Sequence, residues 1–158
     1  MTAHPVARTV LAFIAAVLAT YVFGCIAATQ GALSMLPEIA QPIAMDVRLA
    51  TTGKDLVGML PAYTPLVAAA LVAGFVVARF VIGWLPSLRT LGYLLAGAAG
   101  MLAMHLIMRT TFDGIVPVAA TRSTIGLALQ VLAGGIGGWL FARLTMPAPV
   151  SDSAAESH

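Results

Sequence analysis

Residues 10–29 read VLAFIAAVLATYVFGCIAAT and contain no charged side chain. About 20 consecutive apolar residues are enough for a helix to cross the hydrocarbon core of a bilayer. The whole chain of 158 residues is 60% hydrophobic and 9% charged, and its mean hydropathy is +0.98. A soluble domain carries about 25% charged residues, so this chain has too few charges to cover a water-facing surface. We therefore predict an integral membrane protein.

Three more apolar segments follow, at about residues 65–85, 91–109 and 124–144. They are continuous rather than alternating, which favours spanning helices over the strands of a barrel. We predict an all-α integral membrane protein, a four-helix transmembrane bundle over residues 1–145. The remaining residues, 146–158, are rich in Pro, Ala, Ser and acidic side chains, a composition typical of a disordered tail.

The longest connection, about residues 30–63, is predicted to be a partly ordered cap outside the cytoplasm, because long unstructured loops are uncommon in compact domains. Residues 43–49 alternate between apolar and other side chains, which is the period of a strand or an extended segment. Thr52 followed by Asp55 and then Leu56 resembles a helix start with a capping box.

Capping residues mark the starts of two spans. Thr64 is predicted to be the N-cap of the second span, with Pro65 at the first helical position, and Ser123 is predicted to cap the fourth span. The first span also has features of a secretory signal, because Arg8 precedes an apolar core. Since the apolar run continues past Cys25, we interpret it as a retained helix.

Four spans place both termini on one side of the membrane. Lys and Arg residues are nearly equal in number on the two sides, so the positive-inside rule does not decide the orientation. Trp84 and Trp139 would form an aromatic belt on the side of the termini, and the long connection suits the outer side. We expect both termini in the cytoplasm and, from the Ala-rich and Gly-rich composition, a bacterial inner membrane.

Small residues recur at four-residue spacing on two spans. One face of the fourth span carries Gly126, Gln130, Gly134 and Gly138. The third span carries a matching stripe of Gly92, Ala96 and Gly100. The pair Gly134 and Gly138 permits close helix approach, and Gln130 can hydrogen-bond across the contact. We expect these spans to pack on each other within one chain, because a short connection joins them; homodimerisation through one stripe is the alternative.

Polar groups concentrate in residues 101–123, MLAMHLIMRTTFDGIVPVAATRS, which join the third and fourth spans. His105 and Arg109 share one helical face near the outer end of the third span. An ionisable residue inside a membrane is costly and is therefore a functional candidate. In the simpler interpretation Arg109 snorkels to the interface and a neutral His105 bonds a neighbouring helix.

The positions of the polar residues along the predicted spans place several of them at the same end of the bundle. We predict an outward-facing polar vestibule that binds an anionic headgroup or a small anion, with His105 as its titratable member. The candidate ligand-binding residues are Gln30, His105, Arg109, Asp113, Arg122 and Gln130.

Soft metal ligands also lie near His105 in the sequence. Met101, Met104 and Met108 surround it, and with Cys25 they would suit Cu(I). Because the same methionine spacing is an ordinary packing stripe, we expect no metal and no cofactor. A single cysteine excludes an intrachain disulfide, and the absence of a basic cluster argues against a nucleic-acid partner.

Function is constrained mainly by what the sequence lacks. No zinc-protease, hydrolase or phosphate-loop motif is present, so we favour a structural or accessory subunit of a membrane complex. The alternatives are a small oligomeric binder or transporter of an anionic lipid or small molecule and, after it, a membrane enzyme that uses His105. Expected partners are membrane lipids and either another membrane protein or further copies of the chain.

Overall fold

A computed structural model of the protein describes residues 5–34, 44–111, 121 and 123–146. Within these residues the α-helices are α1 Pro5–Ser34, α2 Met45–Gly58, α3 Leu60–Trp84, α4 Arg89–Thr111 and α5 Thr124–Leu144. A short 3-10 turn, Pro86–Leu88, precedes α4. Helices α1, α3, α4 and α5 are long and apolar enough to cross a membrane. The prediction of an all-helical protein with four candidate spans is confirmed for this part of the chain, and the tail beyond Met146 lies outside it.

The predicted fourth span agrees with α5 at both ends, and its cap is confirmed. The Ser123 hydroxyl accepts a hydrogen bond of 3.0 Å from the Gly126 backbone N–H, which satisfies one of the free donors at the helix start. The first span is longer than predicted, because α1 contains 30 residues. At about 1.5 Å per residue this gives a helix of about 45 Å, longer than the hydrocarbon core is thick.

The strand or extended segment predicted for residues 43–49 is wrong for its described part, because residues 45–49 lie in α2. The alternation there is short, and its apolar members are not core residues: Met45 and Leu49 are 70% and 67% exposed. The side chains of α2 that bond to α1 instead recur every three or four residues, at Arg48, Thr52 and Asp55. This is the spacing of one helical face, but the residues on it are polar, so apolar periodicity does not reveal the helix.

Two predicted helix starts are also wrong. The Thr52 hydroxyl donates to the Arg48 carbonyl in the middle of α2, which is the bond of an interior threonine and not of a cap. Helix α3 begins at Leu60, with Pro61 in its first turn and Pro65 in its interior. Pro61 meets the preference for proline at a helix start one turn before Pro65 does.

The junction of α2 and α3 is nearly continuous. The Met59 N–H donates to the Asp55 carbonyl at 2.9 Å and the Tyr63 N–H donates to the Met59 carbonyl at 2.8 Å. Pro61 has no N–H to donate to the carbonyl four residues earlier, so the helical ladder is interrupted there. This missing bond lies next to the boundary between the two helices at Met59.

Helix α5 lies at the centre of the arrangement, packed along both α1 and α4, while α3 packs mainly along α4. Helix α2 runs back along the second half of α1, between Gln30 and Tyr21. We call this end of the bundle the α2 end. At the opposite end Arg8 donates to the carbonyl of Leu144 at 2.8 Å and to the carbonyl of Met146. We call it the termini end.

Glycines bring the backbones of neighbouring helices into direct contact. A Cβ atom on Gly97 of α4 would meet the backbone of Gly134 and Gly138 on α5. On another face of α5, a Cβ atom on Gly137 would meet Thr20 and the Ala16 carbonyl of α1. These contacts place the glycines of α5 inside one chain, as expected for intramolecular packing.

The small-residue stripe of the third span faces a different neighbour from the expected one. A Cβ atom on Gly100 would lie 2.5 Å from the Ala70 carbonyl oxygen of α3, and one on Gly92 would meet the side chain of Ile82. The Ala96 carbonyl oxygen faces Gly74 of α3. Helix α4 therefore has two small faces: Gly92, Ala96 and Gly100 face α3, while Gly97 faces α5. The expected pairing of the first face with α5 is wrong.

We expect Gly97→Ala and Gly83→Ala to change stability in opposite directions. Alanine at position 97 must push α4 away from the backbone of α5, and overpacking usually costs about 1–3 kcal/mol. Nothing lies within 4 Å of a Cβ atom on Gly83, and alanine is preferred to glycine in helices by about 1 kcal/mol. Reversible unfolding by SDS in mixed micelles measures both variants. A Gly97→Ala protein as stable as the wild type would contradict the backbone contact.

Candidate functional site

Three helices meet around the amide of Gln130 at the α2 end. This side chain is fully buried, at 0% exposure. Its Nε2 donates to the Gly24 carbonyl of α1 at 2.8 Å, and its Oε1 accepts from the Tyr63 hydroxyl of α3 at 2.9 Å. The sequence predicts that Gln130 bonds across the contact between the third and fourth spans. Its partners lie instead on α1 and α3, the first and second spans.

Gly24 makes room for this amide. A Cβ atom at position 24 would lie 2.8 Å from the Gln130 Oε1 and 3.5 Å from the Tyr63 hydroxyl. Tyr63 itself is 3% exposed and is not among the predicted site residues. One feature of the sequence could have identified Tyr63: its hydroxyl lies close to the start of an apolar span. A tyrosine hydroxyl that is buried inside a membrane needs a hydrogen-bond partner.

His105 extends this polar cluster onto α4. Its ring centroid is 6.3 Å from that of Tyr63, in an edge-to-face arrangement. Its Nδ1 is 2.8 Å from the Met101 carbonyl oxygen. Because a carbonyl only accepts, Nδ1 carries the hydrogen and a neutral ring presents the lone pair of Nε2. His105 is 2% exposed, and its Nε2 is buried without a hydrogen-bond partner within the described residues.

Arg109 lies one turn beyond His105 on the same face of α4. Its Nη2 donates to the carbonyl of Thr121, a buried residue just before α5. Its Nε is buried and, like the His105 Nε2, has no hydrogen-bond partner in the described part of the chain. Two nitrogens of opposite hydrogen-bonding character, an acceptor and a donor, are therefore available on successive turns of one helix.

Gln30 belongs to a different set of contacts, those between α1 and α2. Its Nε2 donates to the Thr52 hydroxyl at 3.2 Å, and its Oε1 accepts from Arg48 at 3.0 Å. Next to it, Thr29 donates to the Asp55 carboxylate at 2.7 Å. The structure thus connects Gln130 with His105 through Tyr63 but directs Gln30 to α2. Two further predicted residues, Asp113 and Arg122, lie outside the described residues.

The sulfur-bearing side chains near the cluster make packing contacts. The Cys25 thiol lies 4.0 Å from the Met59 sulfur, and Met101 packs against Gly134. Met104 is buried and Met108 packs against the core. The described residues contain no group of three or more His, Cys, Asp or Glu side chains placed to hold a metal ion.

The arrangement suits recognition by hydrogen bonds. It offers an imidazole acceptor, a guanidinium donor and a neighbouring amide–phenol pair, all at one end of a helical bundle. The chain matches no family model, no curated protein and no solved structure.

We expect Tyr63→Phe and Gln130→Leu to be coupled in a double-mutant cycle. Each single variant leaves a buried polar group unpaired, at a cost of about 1–3 kcal/mol. The double variant removes both partners, so its loss of stability is smaller than the sum by a coupling energy, which averages about 0.6 kcal/mol for hydrogen bonds between membrane helices. Unfolding in mixed micelles gives the four free energies.

Tyr93→Phe is the matched control for this cycle. Tyr93 is another buried tyrosine, whose ring packs against Phe75 and Phe141 at the termini end. Combined with Gln130→Leu it should be additive within about 0.5 kcal/mol, as is usual for distant sites. Additivity of Tyr63→Phe with Gln130→Leu would show that these two side chains do not bond.

Proposed function

We propose that the protein is an accessory subunit of a membrane complex and that it binds a hydroxyl-bearing anionic group at the α2 end. Its four apolar helices are compatible with a small multi-pass membrane protein. The observation that supports binding is a pair of buried nitrogens on α4, His105 Nε2 and Arg109 Nε, that have no hydrogen-bond partner among the described residues. An unsatisfied polar group in an apolar site costs about 1–3 kcal/mol, so a ligand that pairs with both is favoured.

The character of the two nitrogens indicates the chemistry of the ligand. Arg109 is always charged and donates, so it favours an anionic oxygen. A neutral His105 accepts at Nε2, so it favours a hydroxyl. The two residues are separated by about 6 Å of helical rise, a distance that one small ligand can bridge. A glycerophosphate-type headgroup, which carries both groups, is the ligand class that we propose.

The tightly packed and hydrogen-bonded interior of the bundle supports the proposal that the protein is a subunit of a complex. The buried amide of Gln130 is held by bonds from two sides, and glycines bring the backbones of α4 and α5 into contact. Such an interior favours a rigid scaffold over a path for cargo. A small oligomeric binder or transporter remains the alternative proposal. We also propose a bacterial inner membrane, with the α2 end outside the cytoplasm and both termini inside.

Inorganic phosphate and sulfate test the ligand chemistry, because phosphate carries a hydroxyl at neutral pH and sulfate does not. We expect phosphate to raise the melting temperature of the detergent-solubilised protein more than sulfate does, since a ligand of the native state stabilises it. Arg109→Gln should weaken phosphate binding at least about tenfold, because a hydrogen bond to a charged group contributes about 1.5–3 kcal/mol.

Two variants control this experiment. Arg143→Gln removes an exposed guanidinium that lies over the Trp139 ring at the termini end, and it should leave phosphate binding unchanged. His105→Phe keeps a ring next to Tyr63 but removes the acceptor, so the preference for phosphate over sulfate should disappear. The proposal is wrong if phosphate stabilises the wild type and Arg109→Gln equally.

The mass of the particle extracted from the native membrane tests whether the protein is a subunit of a complex. After gentle extraction, light scattering with the detergent subtracted should give a protein mass above the 16.2 kDa of one chain. A second polypeptide at fixed stoichiometry would support an accessory subunit. Whole multiples of one chain would support the oligomeric binder instead, and a single chain would contradict both.

A further inference from the structure

A groove lies at the termini end, lined by residues of α1, α3, α4 and α5. It holds about 440 Å³, within the range of about 300–1,000 Å³ that is usual for ligand pockets. Aromatic rings form its floor. The Phe75 ring stands edge-on to Phe13 and Tyr93 and is stacked on Phe141, with centroid distances of 6.2, 5.4 and 4.6 Å respectively.

The groove opens toward the lipid side of the bundle. Val10 of α1 and Val72 and Val76 of α3 line it, and each is about half exposed, at 50%, 48% and 51%. All three side chains belong to helices that are long and apolar enough to cross a membrane. A hydrocarbon chain from the surrounding bilayer can therefore enter sideways between α1 and α3 without crossing a polar barrier.

Two arginines border the same groove. Arg79 of α3 is exposed and makes no hydrogen bond or ion pair with the described residues. Arg89 of α4 donates from Nη2 to the carbonyl and the hydroxyl of Thr145, at 3.0 and 2.7 Å, and lies 5.7 Å from the centre of the Tyr93 ring. An adjoining pocket of about 330 Å³ is lined by Arg79 and Arg89 together, so the two residues border one space.

No carboxylate of the described residues compensates these charges. The acids within that part of the chain are Asp46 and Asp55, and both lie on α2 at the opposite end of the bundle. A charge in an apolar span is costly unless it reaches water or an opposite charge. Arg79 and Arg89 therefore make the mouth of an apolar groove complementary to an anion.

We propose that this groove binds one acyl chain of an anionic phospholipid, with the lipid phosphate between Arg79 and Arg89. The aromatic floor buries the chain, and the guanidinium groups donate to the phosphate oxygens, for which their planar fork is suited. The site is separate from the anion site proposed at the α2 end, so either can exist without the other.

Lipid retention in native mass spectrometry tests the proposal. The full chain is reconstituted into vesicles of phosphatidylglycerol and phosphatidylcholine in equal amounts and with identical acyl chains, and is then released into the spectrometer. We expect the wild type to retain phosphatidylglycerol in preference to phosphatidylcholine. Arg79→Gln should reduce this preference at least tenfold, and it should not affect folding because the side chain is exposed. Arg143→Gln, at the same end but outside the groove, should keep the preference.

A second pair of variants tests the acyl chain. Val76→Trp fills the groove and should reduce retention of phosphatidylglycerol, whereas Val77→Trp places the same bulk on the adjacent residue, which is 63% exposed and does not line the groove. Equal retention by the two tryptophan variants would overturn the proposal, and so would equal retention of the two lipids by the wild type.

Two further results would redirect the assignment. If palmitate is retained and phosphatidylglycerol is not, the groove takes a free fatty acid and the phospholipid proposal is wrong. If Arg109→Gln removes the preference for phosphatidylglycerol and Arg79→Gln does not, the lipid binds at the α2 end. That result would overturn the groove and leave the function proposed for the α2 end standing.

Discussion

Direct contact between helix backbones along α5 is the constraint on which the rest of the structure depends. Gly97 on α4 and Gly134 and Gly138 on one face of α5 bring the backbones of these two helices together, and Gly137 on another face of α5 brings it against the Thr20 side chain and the Ala16 carbonyl of α1. Lipid supplies no hydrophobic force between helices, so dispersion contacts at this short distance hold them together. Helix α3 packs mainly on α4 and only lightly on α1. The space between α1 and α3 is therefore not closed by close helix packing, and it differs at the two ends. Tyr21 and Tyr63 contact each other across it at the α2 end, and at the termini end it forms the groove that Phe13 and Phe75 line.

The four spans were predictable because apolar length and capping residues are properties of contiguous sequence. The cap of α5 at Ser123 is such a local signal. Helix α2 was not predictable in the same way, since none of its residues is buried and its side chains bond to α1 through polar groups. The sequence does not locate the start of α3, because Pro61 and Pro65 satisfy the same positional rule. In the structure Tyr63, which donates to Gln130, already lies inside the helix.

The candidate site was predictable only within single helices. The helical spacing of His105 and Arg109 places them on one face, as the sequence indicates. The partners of Gln130 lie on two other helices, and periodicity within one span carries no information about which helices are neighbours. Helix α4 illustrates the same limit, because it has two faces of small residues and the sequence does not say which of them meets α5. The position of Gln30 along α1 predicts that it lies at the same depth as His105 and Gln130, but it does not reveal that Thr52 and Arg48 of α2 are its partners.

The bond between Arg8 and Leu144 joins residues 136 positions apart, and this separation has a consequence for biosynthesis. Chains are made from the N-terminus, and their parts assemble in that order. Helix α1 therefore enters the membrane long before α5, the helix against which Ala16 and Thr20 are packed. Until α5 is made, the face of α1 that carries Ala16 and Thr20 lacks the neighbour that covers it in the structure. A chain whose synthesis has not yet reached α5 therefore exposes the α1 surface that α5 later covers. This exposed surface distinguishes partly synthesised chains from folded ones.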